Sequence, residues 1–222
     1  MTRIYVPTKG PENWQSLLAH PEKHWKSGYS ARTMAFSWEE ADGLPREIAA
    51  LFEGIDTVPE LLIALPEFKT PLPGGDRDSQ TDVLAIVRTA KGNITCAVEG
   101  KVDEPFGPLL GDWLKEASPG KQQRLDYICE CLGITNPAMD THYQLMHRAA
   151  SAVIQAERFS SWAAAMIVHS FSPKSMWFGA FAKFVQSLGK EVLPGDFAPI
   201  VLPSGRPLFL GWAKGDPRYL RS

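Results

Sequence analysis

The chain has 222 residues, 44% of them hydrophobic, enough to bury a full core and most economically arranged as one domain with elaborations. A formal charge of −2 argues against capture of nucleic acid by bulk electrostatics, and the three cysteines, Cys96, Cys129 and Cys131, show neither disulfide pairing nor C-x-x-C zinc spacing. No run nears the roughly 18 to 20 apolar residues that span a bilayer, and MTRIYVPTKGPENW lacks a signal-peptide core, so no membrane partner, a cytoplasmic location and reduced thiols are expected.

In chain order, residues 1 to 29, rich in Pro, Lys, His and Trp, are expected to form an N-terminal arm over the domain. Residues 31 to 53 predict a helix in two pieces, broken at Asp42 and Gly43 and restarted at Pro45. LLIALPE (61 to 67) is a short apolar run ended by Pro, Gly and Asp, as expected of a buried strand, and PLPGGDRDSQ follows as a loop. It lacks the G-x-x-x-x-G-K-[ST] pattern of a phosphate-binding loop. DVLAIVR (82 to 88), the turn TAKGN and ITCAVEGKV (94 to 102) predict a β-hairpin. Two short helical patterns within 103 to 140, the second stopped by Gly133, look like an insertion. Residues 142 to 159 carry the strongest helical pattern, with Leu145, Ala149, Val153 and Ala156 on one side and Gln144, Arg148, Ser151 and Gln155 on the other. AAAMIVHSF (163 to 171) reads as another buried strand. Residues 172 to 222 read as an extension holding one helix and a terminal hairpin from IVLP and LFLGWA.

Strand periodicity puts Glu99 and Lys101 on one face, and the hairpin brings Asp82 level with them. Charges in a strand whose neighbours are all apolar are costly unless something needs them there. Two carboxylates can hold Mg²⁺ (or Mn²⁺) through hard oxygen ligands, and a nearby lysine can orient water or stabilise charge developing on a phosphoryl group. Residues 1 to 111 contain 11 basic and 16 acidic residues, and 112 to 222 contain 12 and 9. The acidic half suits a cation, and the mildly basic half could face phosphates. His142 and His147 are five apart, where two ligands on one helix face are typically four apart, so no histidine metal cluster with His169 is expected.

Asp82, sixteen intervening residues and Glu99-Gly100-Lys101, set in an αβββαβ order over residues 30 to 171, resemble the PD-(D/E)XK nuclease superfamily. Thr81 stands where that family often has proline. The resemblance implies a restriction-endonuclease-like α/β core with a central mixed sheet flanked by helices, and a metal-dependent nuclease acting on DNA. Asp82 and Glu99 would be metal ligands, with Lys101 and Gln144 catalytic. An acid from the first helix, among Glu39, Glu40 and Glu47 with Glu47 and then Glu39 preferred, would complete the metal set, and Arg148, Gln80 and Ser79 would meet substrate. An inert nuclease-fold binding or regulatory module is the alternative, and a homodimer or partner protein could supply targeting.

Overall fold

The computed structural model describes residues 8 to 55 and 58 to 222, so residues 1 to 7 of the expected arm lie outside the described residues. The arm continues as a 3₁₀ turn (Pro11–Leu17) and the single helical turn α1 (Pro21–His24). The two-piece helix is α2 (Ser30–Glu40) and α3 (Arg46–Leu51). Strands β1 (Glu60–Thr70), β2 (Ser79–Thr89) and β3 (Gly92–Lys101) follow, then helices α4 (Leu110–Trp113), α5 (Pro119–Leu132) and α6 (Tyr143–Arg158). Strand β4 (Ala163–Ser170), helix α7 (Phe178–Ser187) and strands β5 (Phe197–Val201) and β6 (Pro207–Lys214) complete the order.

The six strands form one mixed sheet in the order β1-β2-β3-β4-β6-β5. The pairs β1–β2 and β2–β3 are antiparallel, β3–β4 and β4–β6 are parallel, and β5 returns antiparallel on β6. Central β4 is buried along its whole length because helices cover both faces, which is why AAAMIV shows no polar alternation. On one face α5, α6 and α7 pack Leu125, Leu145, Met146, Phe181 and Phe184 against the sheet, which meets them with Trp212 of β6. On the other, the arm, α2 and α3 pack Trp14, Met34, Trp38 and Phe52.

Local chemistry explains the main boundaries. Ser118 caps α5 by accepting the Lys121 N–H, Pro119 occupies its first turn, and Gly133 ends it in the left-handed conformation. β1 runs to Thr70, three residues past the expected end at Glu67, and holds Pro66 within it because an edge strand tolerates a residue that cannot donate to a ladder. β2 starts at Ser79, three residues before the expected Asp82, so Ser79 and Gln80 lie on a strand rather than in a loop. The stretch from 172 onward is part of the sheet: β6 lies directly against β4. Among the described residues no helix is long and apolar enough to cross a membrane.

Candidate active site

The site lies where β2 and β3 part. The two strands pair from Thr89 and Gly92 to Val83 and Val98, after which β3 stays with β4 and β2 stays with β1. Asp82 stands at the fork and its Oδ2 accepts the Gly100 N–H (2.7 Å), an amide the departing ladder leaves without a strand partner on that side. Gly100 itself is required by packing, since a Cβ there would come within 2.2 Å of Met34 Sδ on α2.

Glu99 and Lys101 point to the opposite face, toward α6, and are 3% and 4% exposed. Glu99 Oε1 accepts from Lys101 Nζ (2.9 Å) and Gln144 Nε2 (2.7 Å), while Oε2 accepts from Arg148 Nε (2.5 Å). Gln144 and Arg148 are one helical turn apart, so α6 presents both to the same carboxylate. Burial alone would raise the Glu99 carboxyl, but the Arg148 and Lys101 charges outweigh it and hold it down to about 2. Asp82 moves the other way: burial, then the charges of Glu99 and Glu67, push it well above the ordinary aspartate range.

Arg148 is fixed from behind. Its Nη1 donates to Ser79 Oγ (2.9 Å) and approaches His147 Nδ1 (3.2 Å). A guanidinium only donates, so His147 Nδ1 is the acceptor, Ser79 gives it its hydroxyl proton (2.8 Å), and the imidazole proton resides on Nε2. Burial, with the Arg148 charge second, lowers the His147 pKa well below its usual value and keeps it neutral. Ser151 Oγ sits 2.8 Å from Ser79 Oγ and closes the support.

One acid in the cavity was not anticipated from the sequence. Glu67 lies on β1 opposite Asp82, with its backbone at φ 52°, and its Oε2 accepts from Gln80 Nε2 (2.7 Å). Burial, opposed by the Gln80 hydrogen bond and reinforced by the Glu99 charge, pushes it up to about 7. Its signal is the resumption of polar residues after Pro66 in PEFKT, legible only once β1 is known to be an edge.

The helix glutamates are a correction. Glu47 pairs with His169 Nε2 (2.7 Å), and His169 faces the other side of the sheet, because its neighbour Val168 is the β4 partner of Glu99. Glu39 accepts from the Trp14 indole (2.8 Å) at the C-terminal end of α2, whereas the N-terminal end, at Ser30 and Ala31, lines the cavity. Nine residues of helix, about 13 Å, separate the two ends.

Among the described residues no three His, Cys, Asp or Glu side chains are grouped to hold a metal directly. Two carboxylates suffice for Mg²⁺, which keeps several waters, and Asp82 Oδ1 takes no hydrogen bond from a described residue. Asp82 and Glu99 are the two carboxylates that could hold such an ion, and both oxygens of Glu99 already accept from Lys101, Gln144 and Arg148.

Residues 7–217 match the model of DUF6946, a family described as a domain of unknown function. The chain belongs to the DUF6946 family. Neither the curated proteins nor the solved structures contain a match to it. The match spans the arm, the fork and the terminal hairpin, so the DUF6946 unit takes in every side chain of the cavity.

Proposed function

We propose that this DUF6946 chain is a metal-dependent nuclease that hydrolyses phosphodiester bonds, with DNA as its substrate. The observation that carries the reading is the convergence of Asp82, Glu99, Lys101, Gln144 and Arg148 on one cavity at the strand fork. The helix, three antiparallel strands, helix and parallel strand around it support a restriction-endonuclease-like core.

In this reading Asp82 and Glu99 hold Mg²⁺ or Mn²⁺, which when bound supplies a polarised phosphoryl oxygen and a more acidic water. Lys101 remains charged in its ion pair and stabilises the negative charge that develops on the phosphoryl oxygens. Gln144 orients the attacking water, and Arg148 exchanges its Glu99 contact for a phosphate oxygen. The water oxygen bonds to phosphorus as the bond to the leaving oxygen breaks, and the water's proton ends on that oxygen through solvent.

The test is cleavage of labelled DNA with Mg²⁺, Mn²⁺ or EDTA by wild type and Asp82→Asn. Asparagine retains an oxygen for the Gly100 N–H, so the variant is expected to fold yet cut about 10²- to 10³-fold more slowly. Absence of metal-dependent cutting, or equal cutting by the variant, would overturn the reading.

One observation favours the inert binding module as a second reading: Lys101 and Arg148 already neutralise Glu99. Calorimetric titration with Ca²⁺ separates the two. A module that has given up catalysis would show no heat attributable to Asp82 and Glu99.

A further inference from the structure

Two cavities meet at the proposed catalytic groups. The first, about 660 Å³, has Asp82 and Glu99 in its floor and Lys23, His24, Tyr29 and Ser30 in its outer wall. The second, about 340 Å³, is bounded by Phe106, Pro108, Tyr143 and His147. Both are lined by Lys101, Gln144 and Arg148, with Pro105 and Gly107, so these residues form the boundary that the two share.

We propose that the substrate is single-stranded nucleic acid, which crosses this boundary with one phosphate against Lys101 and Arg148 and a nucleoside in each cavity. The placement of the scissile phosphate rests on the hydrolytic reading above; the choice of a single strand rests on shape and lining. A phosphate that touches Lys101 or Arg148, 4% and 7% exposed, has to enter the protein. The cavity through which it enters holds about 660 Å³, room for a nucleotide unit, whereas the major groove of a duplex alone is roughly 12 Å wide. A duplex stays outside; one strand fits.

The linings suit that guest. At the rim of the first cavity Tyr29 is 46% exposed, with Lys26 Nζ 5.9 Å from its ring centre and Lys23 and His24 nearby. An aromatic face flanked by cations is the usual platform for a stacked base and its phosphate. In the second cavity the neutral His147 keeps its proton on Nε2 as a donor, beside Tyr143, whose ring stacks on Trp113 at 4.0 Å. The overall charge of −2 is also reconciled, because a short single-stranded contact needs few phosphate partners and no basic groove.

Fluorescence anisotropy with a labelled oligothymidylate and a blunt duplex of equal length, in Ca²⁺, tests the proposal, with cleavage of the same probes in Mg²⁺ and Mn²⁺ alongside. The single strand is expected to bind at least about tenfold more tightly, and Tyr29→Ala and Lys23→Ala, both at the surface, each to weaken it about five- to a hundredfold with unchanged melting curves. A duplex bound and cut as well as the single strand would overturn this proposal while leaving hydrolysis standing. Tight single-strand binding with no cutting would do the reverse. No binding of either probe, or no effect of both rim variants, would also overturn it.

Discussion

Glu99 is the residue on which the site depends for stability as well as chemistry. Its carboxylate is the paired counter-charge for two buried cations, so Glu99→Gln breaks both ion pairs and leaves Lys101 and Arg148 only the more distant acids, Asp82 foremost. A broken buried pair costs about 3 to 5 kcal/mol, which for a chain of this size lowers the melting temperature by roughly 6 to 20 °C in scanning calorimetry. Arg148→Gln acts in the opposite sense on cation binding: with one competitor removed, Ca²⁺ affinity by calorimetry should rise about tenfold in the absence of nucleic acid. Glu67 has its own signature. Its carboxyl stands raised from 4.5 to about 7 in the fold, so the native state is favoured while the group is protonated and loses that advantage as pH rises toward 7. Glu67→Gln should therefore match wild type in denaturant titrations below about pH 4.5 and exceed it at pH 8 by on the order of 1 to 3 kcal/mol.

At the scale of elements, the approach of α2 to β3 decides what can stand between Glu99 and Lys101. Gly100→Ala would drive its methyl into Met34, at a cost of about 1 to 3 kcal/mol, and Met34→Ala in the same chain should recover part of it in a double-mutant cycle. Much of this layout was legible in the sequence. Apolar neighbours marked Asp82, Glu99 and Lys101 as out of place, period two grouped the last pair, and helical spacing put Gln144 and Arg148 together. The rest depended on facts that no local pattern contains. Glu67 closes the expected apolar run, and only the pairing of β1 with β2 brings it level with Asp82, which hid its place in the cavity. The acids of α2 and α3 could not be sorted because the direction in which a helix crosses a sheet is set by tertiary packing. Here α2 presents Ser30 to the cavity and leaves Glu39 to Trp14.

For the whole molecule, the terminal hairpin is structural. β6 supplies Leu208, Leu210 and Trp212 to one core and Phe209 to the other, and without it β4 would become an open apolar edge. A fragment of residues 30 to 171, though it holds every proposed catalytic side chain, is expected to be insoluble or to lack a cooperative thermal transition by circular dichroism. The buried charge set around Glu99 carries a further consequence, for descent. A lineage that drops the acid alone strands two cations in the interior, and one that drops both cations strands the acid. Loss of activity by gradual drift therefore passes through unstable intermediates. Relatives of this chain should either keep Glu99, Lys101 and Arg148 together or have replaced them together with apolar side chains.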